Sequence, residues 1–151
     1  MPNLCLPKSD WSTLIPHQGA MCLLDSVVDW TGIRIHARSD SHRRADNPLR
    51  SNGTLRALHL CEYGAQAMAV HGGLLARAAG TAAAPGFLVS LRAVDLHVAR
   101  IDDLAGPLDV CAERLLGGDG SWQYQFSVQH AGTLLASGRA AVMVAMRPTA
   151  G

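Results

Sequence analysis

The chain has 151 residues, of which 48% are hydrophobic and 17% are charged, and its formal net charge is +1. A chain of this length can bury the core of one domain, and its composition excludes a disordered or low-complexity protein. The basic residues are scattered, which argues against nucleic acid as a partner. No apolar run approaches the roughly 18 residues of a membrane span, so we expect no membrane association and a cytoplasmic location.

The four cysteines, Cys5, Cys22, Cys61 and Cys111, stand far apart in the sequence. None of them belongs to a pair with the spacing of a zinc site, and separated thiols of this kind do not suggest a disulfide framework. We therefore expect reduced thiols, no metal and no organic cofactor. Cys61 is predicted to be a small buried side chain rather than a nucleophile, because the sequence shows no base that would activate it.

Two predicted strands form a hairpin near the start of the chain. Residues 21–30 are largely apolar, residues 32–38 alternate apolar and polar side chains, and Thr31 and Gly32 supply the turn. Residues 39–53 are polar and rich in helix breakers, so they predict a loop. At its end, Asn52 or Thr54 is a candidate N-cap for a helix.

Residues 55–79 predict one long, mostly buried helix, because they are rich in Ala, Leu, Met and Gly and contain no proline. In an exposed helix, Gly64, Gly72 and Gly73 would each cost about 1 kcal/mol relative to alanine. Their presence indicates that a sheet packs against the helix closely enough to exclude a side chain.

The rest of the chain alternates with period two and predicts four strands, at residues 87–98, 107–115, 122–129 and 133–146. We interpret these strands as an antiparallel meander. A hairpin, one long helix and a meander predict a single α+β domain over residues 1–151, in which one sheet buries one helix.

Two sequence blocks carry a family resemblance. Residues 14–25, LIPHQGAMCLLD, resemble the opening strand motif of hotdog-fold 3-hydroxyacyl-acyl-carrier-protein dehydratases, and residues 62–69, EYGAQAMA, resemble their helix signature. The similarity is closest to the branch of predicted dehydratases that includes those of aryl-polyene pathways. This resemblance implies a hotdog fold, in which an antiparallel sheet wraps around one long central helix.

The same resemblance implies a function. It implies dehydration of a 3-hydroxyacyl thioester, carried by an acyl carrier protein (ACP) or coenzyme A, to a trans-2-enoyl thioester in fatty-acid or polyketide-like synthesis. It also implies a homodimer, or a heterodimer with another hotdog subunit, because a single hotdog domain exposes a sheet edge and an open groove.

Dehydration needs a base for the Cα proton and an acid for the departing hydroxyl, and the family uses a histidine and an acidic residue. Glu62 is the expected acid, since a carboxylate on an otherwise apolar helix is costly unless it is paired or functional. Gln66 lies four residues further along the same helix face, and we expect it to bind the substrate or to hold Glu62.

The histidine is harder to assign, because the family's usual His-Phe-Pro motif is absent and its position falls beside Asn47. We expect Asn47 to position a group in the substrate pocket. His17, in the first block, is the preferred base, and its loop could extend the imidazole across a dimer interface. His59 is the second candidate, or a substrate-binding residue, because its spacing from Glu62 places both on one helix face. His42 is the third.

Two other functions fit the same pattern. A hotdog domain can hydrolyse acyl thioesters, in which case Glu62 would activate water, and the missing motif fits a non-catalytic partner subunit of an active dehydratase. The reaction product separates dehydration from hydrolysis, since only hydrolysis releases a free thiol.

Overall fold

The computed structural model describes residues 5–81, 86–118 and 120–144. In chain order, its elements are β1 (Leu6–Pro7), α1 (Lys8–Trp11), β2 (Ser26–Trp30), β3 (Arg34–Ser39), α2 (Leu60–Ala78), β4 (Gly86–Leu96), β5 (Leu108–Gly118), β6 (Ser121–His130) and β7 (Thr133–Val144). Short 3-10 turns lie at Ser12–Leu14, Gly19–Met21, Ser41–Arg43 and Ala57–His59. The predicted end of the last strand, at residues 145–146, lies outside the described residues.

The strands form one antiparallel sheet in the order β1-β2-β3-β5-β6-β7-β4. The predicted hairpin is confirmed, since β2 pairs with β3, and β5, β6 and β7 form the predicted meander. Strand β4 was wrongly placed in that meander, because it pairs with β7 at the edge of the sheet while β3 pairs with β5. Alternation shows which face of a strand is buried, but it does not show which strand lies beside it.

The inner face of the sheet packs around α2. Ile35, Val110 and Phe126 are buried on three neighbouring strands, and the helix contributes Leu60, Tyr63 and Val70 to the same core. This arrangement is the hotdog fold that the resemblance implies. Among the described residues, no helix combines the length and the apolar character needed to cross a membrane.

Helix α2 begins later than residue 55, where the sequence predicted it. The preceding residues pair with an extended segment instead: Ile101 N donates to Leu55 O at 2.9 Å and Ala57 N donates to Ala99 O at 3.0 Å. Leu55 N donates to Asp102 Oδ1 at 2.9 Å. These long-range hydrogen bonds satisfy the backbone of residues 55–57 outside a helix.

The predicted N-caps are also wrong. Asn52 and Gly53, with φ of 52° and 71°, form a tight turn, and Ser51 and Thr54 exchange backbone hydrogen bonds across it. Both residues have positive φ, which asparagine and glycine tolerate better than most residues. The N-cap position of α2 is held by His59, whose side chain makes no capping hydrogen bond.

Two of the three helix glycines allow the close packing that the sequence predicts. A Cβ on Gly64 would lie 2.7 Å from the Phe126 ring, and one on Gly73 would lie 2.8 Å from Leu14 Cβ. A Cβ on Gly72 would meet nothing within 4 Å. Gly64 therefore brings the helix close to the sheet, and Gly73 brings it close to the N-terminal segment.

Candidate active site

His17 and Glu62 meet at the start of the long helix. Glu62 lies in the first turn of α2, and His17 lies in the loop between the 3-10 turns at Ser12–Leu14 and Gly19–Met21. His17 Nε2 is 3.3 Å from Glu62 Oε1, and their side chains are 29% and 34% exposed. The imidazole thus faces a carboxylate of its own chain, and both side chains are accessible to a ligand.

Gln66 holds the carboxylate from inside the protein. It is fully buried, and its Nε2 donates to Glu62 Oε1 at 3.2 Å and to Met21 O at 2.8 Å. Its Oε1 accepts a hydrogen bond from Leu23 N at 2.9 Å. Of the two roles predicted for Gln66, the structure therefore supports holding Glu62, and its amide also joins α2 to the segment before β2.

The side chain of Gln18 stabilises the conformation of the loop that carries His17. Gln18 Nε2 donates to the carbonyl oxygens of Ser12 and Ile15, each at 3.1 Å. Next to this loop, Lys8 Nζ donates to Cys22 O at 2.9 Å. These contacts, together with the packing of Leu14 on Gly73, determine where the imidazole lies.

Asn47 is buried, and its hydrogen bonds go to residues other than His17 and Glu62. Its Nδ2 donates to Ser41 O at 2.9 Å and to the Tyr63 hydroxyl at 3.2 Å, and its Oδ1 accepts from Leu49 N at 2.9 Å. These bonds use its amide to fold the loop after β3 onto α2. The structure therefore favours a structural role for Asn47 over the predicted role in substrate binding.

The structure also contains a buried polar network, formed by Ser39, Ser41 and Tyr63, that the sequence did not predict. Ser41 Oγ lies 2.7 Å from the Tyr63 hydroxyl and 2.9 Å from Ser39 Oγ, which in turn donates to Leu23 O. Burial raises the pKa of the Tyr63 hydroxyl above its usual value. The available signal was Tyr63 itself, a hydroxyl-bearing residue inside the helix block that carries the resemblance.

The other two candidate histidines are not joined to Glu62. The His59 side chain is half-buried and makes no hydrogen bond or ion pair with any residue that the structure describes. His42 is fully buried, and its Nε2 lies 3.0 Å from Leu104 O. Burial lowers the pKa of His42 below its usual value, so this histidine is a neutral part of the loop packing.

Cys61 lies next to Glu62 in the sequence but is buried, as predicted. Burial raises the pKa of its thiol above the usual value, which disfavours the thiolate that a nucleophile requires. The chemistry of the site therefore rests on nitrogen and oxygen groups.

The solved structures similar to this chain include a dehydratase heterocomplex and a hypothetical thioesterase. The structure of the dehydratase heterocomplex ApeI:P from Xenorhabdus doucetiae is similar, with a TM-score of 0.81 and 23% identity over 90% of this chain and 91% of that chain. A hypothetical thioesterase with coenzyme A from Streptococcus pneumoniae TIGR4 has a TM-score of 0.58 and 11% identity, over 82% of this chain and 87% of that chain. AziG from S. sahachiroi has a TM-score of 0.55 and 21% identity, over 80% and 90%.

These structural similarities, all below 25% identity, establish the hotdog fold. No curated protein matches the chain. The family model described as ApeP dehydratase matches residues 9–150, which is nearly the whole chain and includes both sequence blocks. The chain therefore belongs to the ApeP-like dehydratase family.

Proposed function

We propose that this dehydratase converts 3-hydroxyacyl thioesters, carried by an ACP or by coenzyme A, to trans-2-enoyl thioesters, with His17 and Glu62 at the reacting centre. The observation that carries the proposal is the 3.3 Å approach of His17 Nε2 to Glu62 Oε1 beside an accessible surface. The reaction removes a proton from Cα and returns one to the hydroxyl that leaves Cβ. An imidazole and a carboxylate that lie close together can remove the Cα proton and protonate the leaving hydroxyl.

The surroundings of the pair suit a thioester substrate. On the helix that carries Glu62, Cys61 and Met68 are buried, and Leu58, four residues before Glu62 in the sequence, is 60% exposed. An exposed leucine four residues before the carboxylate can offer apolar contact to an acyl chain or a pantetheine arm. His59, a half-buried histidine three residues before Glu62, is the residue we propose to contact the substrate's polar groups.

The test is a turnover assay of the purified protein with 3-hydroxyacyl thioesters of several chain lengths, in which enoyl absorbance and free thiol are read in parallel. We expect enoyl formation, and a loss of about 100-fold or more in kcat for Glu62→Gln, as for removal of a general acid or base. Glu113→Gln and His97→Ala change exposed residues of the same types and serve as controls. Thiol release without enoyl product would support the hydrolase alternative and contradict the proposal.

We also propose that the chain works as one subunit of a hotdog pair. Strand β4 has β7 on one side and no strand on the other among the described residues. Leu88 and Leu91, on β4 itself, are 44% and 40% exposed. An unpaired edge with apolar side chains favours pairing with a second sheet. The similar ApeI:P structure is a heterocomplex, so the second subunit can be this chain or another hotdog chain.

Light scattering of the purified chain, alone and co-expressed with a second hotdog dehydratase subunit from the same genome, tests this pairing. We expect a dimer that the double substitution Leu88→Lys and Leu91→Lys disrupts, because it places two charges at the edge. A wild-type protein that is monomeric in both settings would contradict the pairing. If turnover appears only in the heterodimer, Glu62→Gln in this chain then shows whether its own site acts.

A further inference from the structure

The backbone of Leu23 joins the Glu62 site to the end of strand β3. Its N–H donates to Gln66 Oε1 at 2.9 Å, and Gln66 Nε2 in turn donates to Glu62 Oε1 at 3.2 Å. The carbonyl oxygen of Leu23 accepts from Ser39 Oγ. Leu23, Ser39 and Gln66 are all fully buried. Both polar backbone groups of one residue are therefore paired with buried side chains, and one of those side chains holds the carboxylate.

The Ser39 hydroxyl can bond to Leu23 in only one direction. A carbonyl oxygen only accepts, so the single proton of this hydroxyl is committed to Leu23 O. Ser39 Oγ then accepts from Ser41 N at 3.1 Å and from Ser41 Oγ at 2.9 Å. Ser41 Oγ accepts from the Tyr63 hydroxyl at 2.7 Å, which accepts from Asn47 Nδ2 at 3.2 Å. The chain of hydroxyls thus runs from the loop after β3 to the Leu23 carbonyl.

The Leu23 carbonyl depends on Ser39. No other hydrogen bond to Leu23 O is formed among the described residues, and a buried carbonyl oxygen without a donor is unfavourable. Removing the Ser39 hydroxyl should therefore displace the Leu23 backbone, and the Gln66 amide, which is anchored on Leu23 N, would shift with it. The second anchor of that amide, Met21 O at 2.8 Å, lies in the same short segment. Both anchors of Gln66 would thus move together.

We propose, on the basis of the proposed dehydratase function, that Ser39 is a positioning residue for Glu62. It acts through the Leu23 backbone and the Gln66 amide, and its own hydrogen bonds go to Leu23 and Ser41. Gln66 holds the carboxylate from the buried side, so the position of its amide determines how Glu62 faces a substrate. A misplacement of about 1 Å can cost on the order of 100-fold in rate, so a hydroxyl outside the site can affect turnover.

Ser39→Ala and Ser41→Ala form a matched pair of variants. Each removes one buried hydroxyl from the same chain of hydrogen bonds, but only Ser39 contacts Leu23. In both variants Asp25 keeps the segment attached to the end of β3 through its backbone N–H and its carboxylate. Both proteins should therefore fold, and their urea midpoints should decrease by similar amounts, because each loses one buried hydrogen-bonding group.

Turnover separates the two variants. We expect Ser39→Ala to lower kcat by about tenfold, as a displacement of well under 1 Å would, and to leave KM within about twofold of wild type. Ser41→Ala should stay within about twofold of wild type in both parameters. Equal kcat values for folded Ser39→Ala and Ser41→Ala, or an unchanged kcat in Ser39→Ala, would overturn the proposal.

A double-mutant cycle tests the route through Gln66. Gln66→Met keeps roughly the size of the side chain but has no amide to hold Glu62, so it should itself lower kcat. In that background Ser39→Ala should add less than about twofold, since two residues that act through one contact are not additive. A full further tenfold loss would show that Ser39 acts by another route and would contradict the proposal.

A measurement without substrate separates this inference from the proposed function. In 15N-labelled protein, the side-chain amide signals of Gln66, identified by their loss in Gln66→Met, report the surroundings of its two N–H groups. We expect these signals to shift clearly more in Ser39→Ala than in Ser41→Ala. Unchanged Gln66 signals in Ser39→Ala would refute the inference even if enoyl product forms. The expected shift in a protein without turnover would support the contact and count against the dehydratase substrate alone.

Discussion

Leu14 packs directly on the backbone of Gly73, where an added Cβ would come within 2.8 Å of the Leu14 Cβ. Leu14 ends the 3-10 turn that leads into the loop of His17, and Gly73 lies three turns along the helix from Glu62. The glycine therefore sets the distance between the histidine loop and the helix that carries the carboxylate.

Gly73→Ala should displace that loop. The gain in helix propensity of about 1 kcal/mol is offset by overpacking of about 1–3 kcal/mol. We expect kcat to fall by about 10- to 100-fold, because a shift of an ångström or less misaligns an acid–base pair. Gly72→Ala is the matched control, since a Cβ there meets nothing within 4 Å. Urea denaturation and turnover of both variants check this, and equal kcat values for the two would contradict it.

Gly64→Ala should destabilise the protein through one aromatic ring. The new methyl would lie 2.7 Å from Phe126, whose ring also lies 2.9 Å from the place of a Cβ on Gly138 and so cannot retreat freely. We expect a loss of about 1–3 kcal/mol in the free energy of unfolding. In a Phe126→Leu background the same substitution should cost at least about 1 kcal/mol less, as residues in contact are not additive. Additive effects in the double-mutant cycle would show that the Phe126 ring does not clash with the methyl group of Gly64→Ala.

The Tyr63 hydroxyl should act with Ser41 as one unit. Tyr63→Phe leaves the buried ring in place and removes the partner that lies 2.7 Å from Ser41 Oγ. We expect Tyr63→Phe and Ser41→Ala each to cost about 1–3 kcal/mol, and the double variant to cost clearly less than their sum. Denaturation measures the energies, and hydrogen exchange should show faster opening of residues 40–54. Unchanged exchange in that loop would count against the role of the network in holding it.

Stability should decrease as the solution becomes more acidic than the ordinary histidine pKa of 6.5, because two histidines are buried in neutral form. Burial is the main cause that lowers the pKa of His71 and that of His42, and hydrogen bonds to Thr31 O and Leu104 O partly oppose it. A folded-state pKa below the unfolded one favours folding above pH 6.5. That contribution is lost progressively as pH falls towards the folded-state values.

His71 is the better of the two for testing this effect. Its Nε2 lies 2.8 Å from Thr31 O and its Nδ1 lies 2.9 Å from the Tyr124 hydroxyl, which accepts from Arg114 Nε at 3.0 Å. In a protonated His71, the second ring N–H would point at the Tyr124 hydroxyl, which already accepts a hydrogen bond from the cationic Arg114. Urea denaturation at pH 7.5 and 5.5 should give a smaller pH effect for His71→Gln than for wild type, whereas exposed His97→Gln should match wild type. Equal pH effects in all three proteins would refute the explanation.

Much of the fold follows from local patterns in the sequence. The absence of proline and the abundance of small apolar residues predict the central helix, and the alternating side chains predict the strands. Within the helix, the spacing of Glu62 and Gln66 places both on one face, because residues four apart lie one above the other. The structure adds that Gln66 holds Glu62, and it places His17, chosen from its sequence block, against the same carboxylate.

The rest was decided by contacts between distant parts of the chain. The helix starts after residues 55–57 because they pair with residues 99–101, and β4 lies at the sheet edge because β3 occupies the side of β5. Neither His59 nor Asn47 joins the pair, although both are nearer to Glu62 in sequence than His17 is. Periodicity depends only on neighbouring residues and could therefore be read from the sequence. Register, strand order and the closure of the His17 loop depend on which distant backbone groups satisfy one another, and only the folded chain determines that.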